Sequence, residues 1–115
     1  MSDPTSNPTA GQTATPPAVP PKLDPVAVLF ALGSEVRWPL VKMLADGRKL
    51  SISEAAAALG RDLDGVGRQL KVLRAAGVVE AFAGTDRRQT IYQVPAVFRP
   101  APGVMDFGFC VLRLD

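Results

Sequence analysis

Residues 50–94, LSISEAAAALGRDLDGVGRQLKVLRAAGVVEAFAGTDRRQTIYQV, decide the fold of this chain. Ser51 and Glu54 have the spacing of a capping box, so a helix is predicted to begin there and to continue through the alanines that follow. Gly60 can end this helix, and Asp62 is a candidate N-cap for another. About three residues therefore join two helices, and so short a link makes the chain turn sharply.

The second helix of this pair is predicted from the spacing of its apolar residues. Val66, Leu70 and Leu73 recur as they would on one face of a helix, and Gly77 offers a C-cap. The opposite face of this helix is then not needed for the core.

A β-hairpin is predicted after Gly77. The runs 78–83 and 89–94 are typical of strands, and they flank Gly84-Thr85-Asp86-Arg87-Arg88, a basic tip that is longer than a tight turn. Helix, turn, helix and hairpin in this order indicate a winged helix-turn-helix, a mainly α-helical fold with a small β-wing. The tip is the candidate wing.

Four segments of the chain resemble ArsR-type (arsenic-repressor-like) winged-helix regulators. LGSEVR at 32–37 resembles their LGDPTR, and KLSISE at 49–54 resembles their ELSVGEL. QLKVLRAAGVV at 69–79 is similar to HLKVLREAGLV, and IYQV at 91–94 is similar to YYRL. The resemblance covers roughly residues 24–94. It implies a DNA-binding transcriptional regulator that dimerises through its first helix.

Composition and length predict one small domain with two extensions. The chain has 115 residues, of which 47% are hydrophobic, which is enough for one core but not for two. Residues 1–22 are rich in proline and offer almost nothing apolar to bury, so they are predicted to be a disordered tail. The winged helix-turn-helix domain is expected at 23–98 and a C-terminal extension at 99–115.

Neither a secretory signal nor a membrane span is predicted from this sequence. The tail lacks the positively charged start and the apolar run of a secretory signal, and no stretch approaches the roughly 20 apolar residues of a membrane span. A single cysteine, Cys110, excludes an intramolecular disulfide and suggests a reducing compartment. We therefore expect a cytoplasmic protein with no membrane partner.

The first helix is predicted after Asp24, with Pro25 at the first helical position. Its apolar residues wrap more than one side, so it needs burial on two faces. One face can pack on the domain. The other, with Val26, Leu29 and Phe30, suggests a partner subunit, as the resemblance also implies; the alternative is that the C-terminal tail covers it.

The next helix is predicted over the apolar residues Leu40, Val41 and Leu44. If Ser34 is its N-cap, Pro39 lies one position too deep and deletes a helical hydrogen bond. Either the first turn is distorted or the regular helix begins near Trp38. We expect Trp38 itself to pack in the core.

The C-terminal residues depart from the resembled family, whose members often end in a further dimerising helix. Met105, Phe107, Phe109 and Val111 alternate with other residues, and both sides become apolar toward the end. This pattern predicts one strand buried on both faces. The strand would pair with the domain's own sheet or with the same strand of a second chain, so Phe107, Phe109 and Val111 join the candidate dimerisation residues.

Enzymatic and metal chemistry have little support. The chain has no histidine and no glycine pattern that would cradle phosphate, so we expect neither catalysis nor a cofactor. In metal-sensing members of the resembled family, cysteines stand where this chain has Ser51 and Ser53, and serine is a weak ligand for such ions. Cys110 is either a redox switch or, as is usual for a lone cysteine in an apolar strand, a small core residue.

Double-stranded DNA is the partner that the predicted geometry favours. The helix that begins near Asp62 would present its N-terminal half to a major groove. Arg68 could contact guanine and Gln69 adenine, with Asp64 beside them. The expected phosphate contacts are Lys71, Arg87 and Arg88, although the two wing arginines could instead enter the minor groove.

The sequence thus predicts a metal-independent repressor that acts as a winged-helix homodimer. Two observations weaken DNA binding: the net charge is only +2, and Gly65 and Gly67 supply no side chain where the family has polar residues. The alternative is a protein-interaction or scaffold module without specific DNA binding, which contacts its partner through the second helix of the pair or the C-terminal strand. A regulator that responds to a small molecule or to redox state is a third hypothesis.

Overall fold

A computed structural model describes residues 23–86 and 88–114. The predicted tail at 1–22 and the candidate phosphate contact Arg87 lie outside the described residues. The elements follow the chain in this order: α1 (Pro25–Leu32), α2 (Arg37–Leu44), β1 (Leu50–Ser51), α3 (Ile52–Leu59), α4 (Leu63–Ala75), β2 (Glu80–Ala83), β3 (Thr90–Gln93), a 3₁₀ helix (Ala96–Phe98), β4 (Val104–Asp106) and β5 (Val111–Arg113).

The link between α3 and α4 has the predicted local causes. The Ser51 hydroxyl oxygen accepts from the Glu54 amide at 3.2 Å, and a Glu54 carboxylate oxygen accepts from the Ser51 amide at 2.9 Å, which completes the capping box. Gly60 ends α3 with φ +66°, and the Asp62 carboxylate accepts from the amide of Gly65 at 2.8 Å to cap α4. The sharp turn is therefore fixed by backbone and side-chain hydrogen bonds on both sides.

The end of α4 is closed by a Schellman motif. The Val78 amide donates to the Leu73 carbonyl at 3.0 Å, and the Gly77 amide donates to the Arg74 carbonyl at 3.0 Å. Gly77 has φ +85°, a conformation that glycine adopts without strain. Leu73 and Val78 are both buried, so the motif directs the chain from the core into β2.

The predicted wing hairpin is present and belongs to a three-stranded antiparallel sheet with the order β1-β3-β2. The register of β2 on β3 runs from Glu80 opposite Gln93 to Ala83 opposite Thr90. The strand β1, which the sequence did not predict, pairs with β3 and places Leu50 opposite Tyr92. Because α3 follows β1 directly, this pairing ties the start of α3 to the base of the wing.

The structure resolves the question of where α2 begins. The Ser34 hydroxyl oxygen accepts from the amides of Val36 and Arg37, each at 3.2 Å, in a turn that precedes the helix. The regular helix begins at Arg37, so Pro39 lies in its first turn, where a missing amide removes no helical hydrogen bond. Trp38 packs against the core as expected.

One hydrophobic core joins the helices, the sheet and the C-terminal residues. Its large fully buried side chains are Val28, Leu40, Val41, Leu44, Val66, Leu70, Leu73, Val78, Val94, Phe98 and Met105. All four helices contribute buried residues to this core. None of the helices in the described parts of the chain is long and apolar enough to cross a membrane.

The C-terminal residues form a hairpin, and the prediction of one continuous strand there is wrong. The strands β4 and β5 pair with each other in a separate two-stranded sheet. Gly108 turns the chain with φ +92°, and the Phe107 amide donates to the Cys110 carbonyl at 3.0 Å. Phe107 is only 3% exposed and its ring lies 5.1 Å from that of Phe98, so it belongs to the core.

The two glycines early in α4 should differ in their tolerance of a methyl group. A Cβ at Gly67 would lie 3.5 Å from the Ile52 Cδ1 atom, which is ordinary contact. Since alanine is favoured over glycine inside helices by about 1 kcal/mol, Gly67→Ala should raise the free energy of unfolding by up to that amount. Urea titration would measure this change.

Gly65→Ala is the matched control for this prediction. Its Cβ would lie 2.8 Å from an Asp62 carboxylate oxygen and would displace the N-cap of α4, so the propensity gain should be offset. Equal stabilisation by both substitutions would contradict the assigned packing.

Candidate nucleic-acid interface

A groove with a volume of about 470 Å³ lies between the N-terminal half of α4, the start of α3 and the wing. We call it the α4–wing groove. It is lined by Ser51, Ile52, Ser53, Leu63, Asp64, Gly67, Arg68, Lys71, Arg88, Gln89 and Thr90. The short α3–α4 link and the pairing of β1 with β3 together place these three elements around one groove.

Three cations line the α4–wing groove. Arg68 and Lys71 come from α4 and Arg88 from the wing, and all three residues are exposed. Asp64 is the one acidic residue in the lining, at the other end of the α4 segment. The ion pair found among residues 23–86 and 88–114 joins Arg48 to Asp46 at 3.0 Å, outside this groove. The groove thus carries a local excess of positive charge.

Asp86 shapes the wing tip beside this groove. Its side chain accepts from the Arg88 amide at 3.1 Å, and its carbonyl accepts from the Gln89 amide at 2.8 Å. The Gly84 amide donates to the Gln89 carbonyl at 2.9 Å, which closes the tip above the strands. These bonds hold the backbone of Arg88 in a defined turn.

Gln69 is held by Arg37 and does not line the groove. The Arg37 Nη1 atom donates to the Gln69 Oε1 atom at 2.6 Å. The same guanidinium donates from Nε to the Ala31 carbonyl at 2.7 Å and from Nη2 to the Phe30 carbonyl at 3.3 Å. Arg37 therefore ties the end of α1 to α4. Sequence reasoning noted this arginine only as a match to the resembled family.

An apolar stripe is exposed on α1. Val26, Leu29 and Phe30 are 74%, 54% and 69% exposed, and their spacing puts them on one face of the helix. A shallow apolar pocket adjoins the stripe, lined by Ala27, Phe30, Ala31, Val72, Ala75 and Ala76. Phe109 and Val111 are exposed on the C-terminal hairpin, whereas Phe107 is not.

The surroundings of Ser51 and Cys110 do not favour metal binding or redox chemistry. Ser51 is buried and its hydroxyl serves as the N-cap of α3. Within the described ranges, no three residues among histidine, cysteine, aspartate and glutamate are grouped to hold a metal ion. Burial and the nearby charge of Asp106 raise the pKa of the Cys110 thiol, which disfavours the reactive thiolate.

Solved structures that are similar to this chain include winged-helix transcriptional regulators. HlyU from Vibrio cholerae N16961 is 26% identical, with a TM-score of 0.55 over 61% of this chain and 73% of its own. The transcriptional repressor BigR from Xylella fastidiosa is 30% identical, with a TM-score of 0.54 over 61% of this chain and 68% of its own.

A third similar structure is the homodimeric winged helix-turn-helix DNA-binding domain of Mb0332 from Mycobacterium bovis, a possible ArsR-family transcriptional regulator. It is 26% identical, with a TM-score of 0.54 over 60% of this chain and 61% of that chain. No curated protein matches the sequence.

The predicted winged helix-turn-helix fold and the resemblance to ArsR-type regulators are confirmed by these neighbours. A family model described as HVO_A0114 matches residues 33–95. The match spans more than half of the 115 residues, and the chain belongs to the HVO_A0114 family.

Arg37 should contribute to stability through its hydrogen bonds to α1 and α4. Hydrogen bonds that involve a charged group contribute about 1.5–3 kcal/mol, so Arg37→Met should lower the free energy of unfolding by an amount in that range. Gln69→Met removes only one of the three acceptors and should cost less. Urea titration of both variants tests this order, and an Arg37→Met protein as stable as the wild type would refute the assignment.

Proposed function

We propose that this protein is a metal-independent transcriptional repressor that binds double-stranded DNA as a homodimer in the cytoplasm, and that it is not an enzyme. The observation that carries the proposal is the α4–wing groove, in which cations from α4 and from the wing converge beside the exposed N-terminal half of α4. The winged-helix regulators with similar structures support it, since Mb0332 is a DNA-binding domain and BigR a repressor.

In this proposal α4 enters the major groove with its N-terminal half. Arg68 contacts base edges, and a bidentate contact with guanine suits its guanidinium. Lys71 and Arg88 contact phosphates, as does Arg87 by its place in the wing sequence. Gln69 is reassigned from base contact to positioning, because its side-chain oxygen accepts from Arg37.

Asp64 restricts how DNA can lie in the groove. A carboxylate repels phosphate but can accept a hydrogen bond from the amino group of cytosine. With Asp64 near the start of α4 and Lys71 two turns later, the start of the helix faces base edges and the later residues face the backbone. Asp64 is therefore proposed as a base contact.

Metal independence is proposed from the donor set. The Ser51 hydroxyl already caps α3, and serine is a weak ligand for the ions that cysteine sites bind. The proposed DNA operator has two pseudo-palindromic half-sites about one helical turn apart, because two copies related by a twofold axis would each bind one of them. Residues 23–98 would form the DNA-binding domain and residues 99–115 an extension of it.

DNA binding is tested by its dependence on salt. Each phosphate contact adds about 0.9 to the slope of log affinity against log salt, so Lys71→Ala and Arg88→Ala should each flatten the slope by about one. Fluorescence anisotropy with a labelled duplex measures the slope. A metal chelator should change neither the affinity nor the slope.

Arg113→Ala is the matched control, because it removes an exposed cation on β5 that does not line the groove. Its slope should equal that of the wild type. If no duplex binds even at low salt, the scaffold alternative replaces this proposal.

The dimer is proposed to form through α1. The exposed stripe of Val26, Leu29 and Phe30 and the adjoining apolar pocket offer a continuous apolar surface that water disfavours. The homodimeric state of the Mb0332 domain supports this arrangement. Phe109 and Val111 on the hairpin are the alternative surface, and Phe107 is withdrawn from the proposed interface because it is buried.

Leu29→Asp should convert the dimer into a monomer, because it buries a charge in the proposed interface. Sedimentation equilibrium measures the mass, and circular dichroism checks that the helices remain. Val111→Asp is the control and should leave the dimer intact. A monomer from Val111→Asp together with a dimer from Leu29→Asp would move the interface to the hairpin.

A further inference from the structure

Leu63 is an apolar side chain that the core does not use. It is the first residue of α4, it is 52% exposed, and it lines the α4–wing groove. It is not among the partly buried hydrophobic residues that pack against the core. About half of the Leu63 side chain is therefore available to a ligand in the groove.

The surroundings of Leu63 extend its apolar surface. Ile52, at the start of α3, lines the same groove and also packs against the core. Gly67 follows Leu63 by one helical turn, and a Cβ at Gly67 would lie 3.5 Å from the Ile52 Cδ1 atom, so α3 and α4 lie close together at this point. These three residues form an apolar subsite within a groove whose other lining residues are all polar or charged.

The groove around this subsite selects against most apolar ligands. Asp64 is next in sequence and Arg68 lies one turn away, and both line the same surface. A ligand that fits must therefore carry a small apolar group among hydrogen-bonding groups. In the major groove of DNA the 5-methyl group of a pyrimidine has this character, because it lies beside the donors and acceptors of the base edges.

We propose that Leu63, Ile52 and Gly67 form a subsite for the 5-methyl group of a pyrimidine, which is either thymine or 5-methylcytosine. The inference rests on the proposed DNA binding and adds a specificity determinant to it. Leu63 contacts the methyl group, and Ile52 and Gly67 continue the apolar surface beside it. The neighbouring carboxylate of Asp64 faces the amino group of the 5-methylcytosine itself or, beside a thymine, that of a cytosine in the next base pair.

Uracil-substituted DNA tests this subsite, since uracil differs from thymine only by the 5-methyl group. The probe is the duplex that the wild-type protein enriches most from a random library. Burial of one methyl group changes affinity by about fourfold, so the wild type should bind the uracil version of the probe at least fourfold more weakly. Leu63→Ala should bind both versions equally, which excludes a change of DNA shape as the cause.

Lys71→Ala is the control, because it should weaken binding to both versions and keep their ratio. Replacement of cytosine by 5-methylcytosine in the same probe separates the two ligands. If the wild type binds the uracil probe about fourfold more weakly than the thymine probe, the ligand is thymine. If cytosine methylation raises affinity about fourfold and Leu63→Ala abolishes this gain, the ligand is 5-methylcytosine.

Each remaining outcome is decisive. If the wild type binds the thymine and uracil probes equally and cytosine methylation has no effect, the subsite is overturned while the proposed function stands. If the random library yields no binding duplex, the proposed function fails and the subsite fails with it. Because Leu63 is exposed and outside the core, Leu63→Ala should unfold at the same urea concentration as the wild type.

Discussion

The three residues between α3 and α4 are the constraint on which the rest of the structure depends. Gly60 adopts a left-handed conformation that only glycine takes without strain, and the Arg61 amide then donates to the Ala56 carbonyl at 3.0 Å. Asp62 caps the next helix immediately. The backbone groups at the end of α3 and at the start of α4 find hydrogen-bond partners within these three residues. No further residue separates the two helices, so the direction of α4 is fixed by α3.

The fixed direction of α4 lets one helix serve the core and the groove. Val66, Leu70 and Leu73 are buried on one face, while Arg68 and Lys71 remain exposed on another. The pairing of β1 with β3 holds the start of α3, and therefore α4, at a set position relative to the wing. The groove is thus a consequence of backbone hydrogen bonds and helix caps, and not of contacts between its own charged side chains.

The elements that the sequence predicted correctly have local causes. A capping box, an N-cap and a glycine C-cap each act within a few residues, so the bounds of α3 and α4 could be inferred from residue types and spacing. The strand β1 could not, because two residues carry no periodicity and their pairing with β3 is set by the tertiary fold. At the C-terminus, apolar alternation predicted a strand but concealed the turn at Gly108, whose positive φ breaks that strand in two.

In the candidate site, too, only the features with local causes could be predicted from the sequence. Arg68, Lys71 and Arg88 follow from the helix face and the wing, which are local features. The place of Gln69 outside the groove was not predictable, because its partner Arg37 lies 32 residues away in sequence, on α2. Leu63 is assigned to the groove only by its exposure and its separation from the core, since a leucine three residues before Val66 has the spacing of a core residue.

The two halves of α4 face different partners in the proposed assembly. Its N-terminal half lines the α4–wing groove, whereas Val72, Ala75 and Ala76 near its C-terminal end line the pocket beside the exposed stripe of α1. A second copy docked on α1 would therefore contact the same helix that is proposed to enter DNA. The spacing of the two helices on DNA would then be set by the packing of α1 on α4, and Arg37, which bridges these two helices, would hold that spacing.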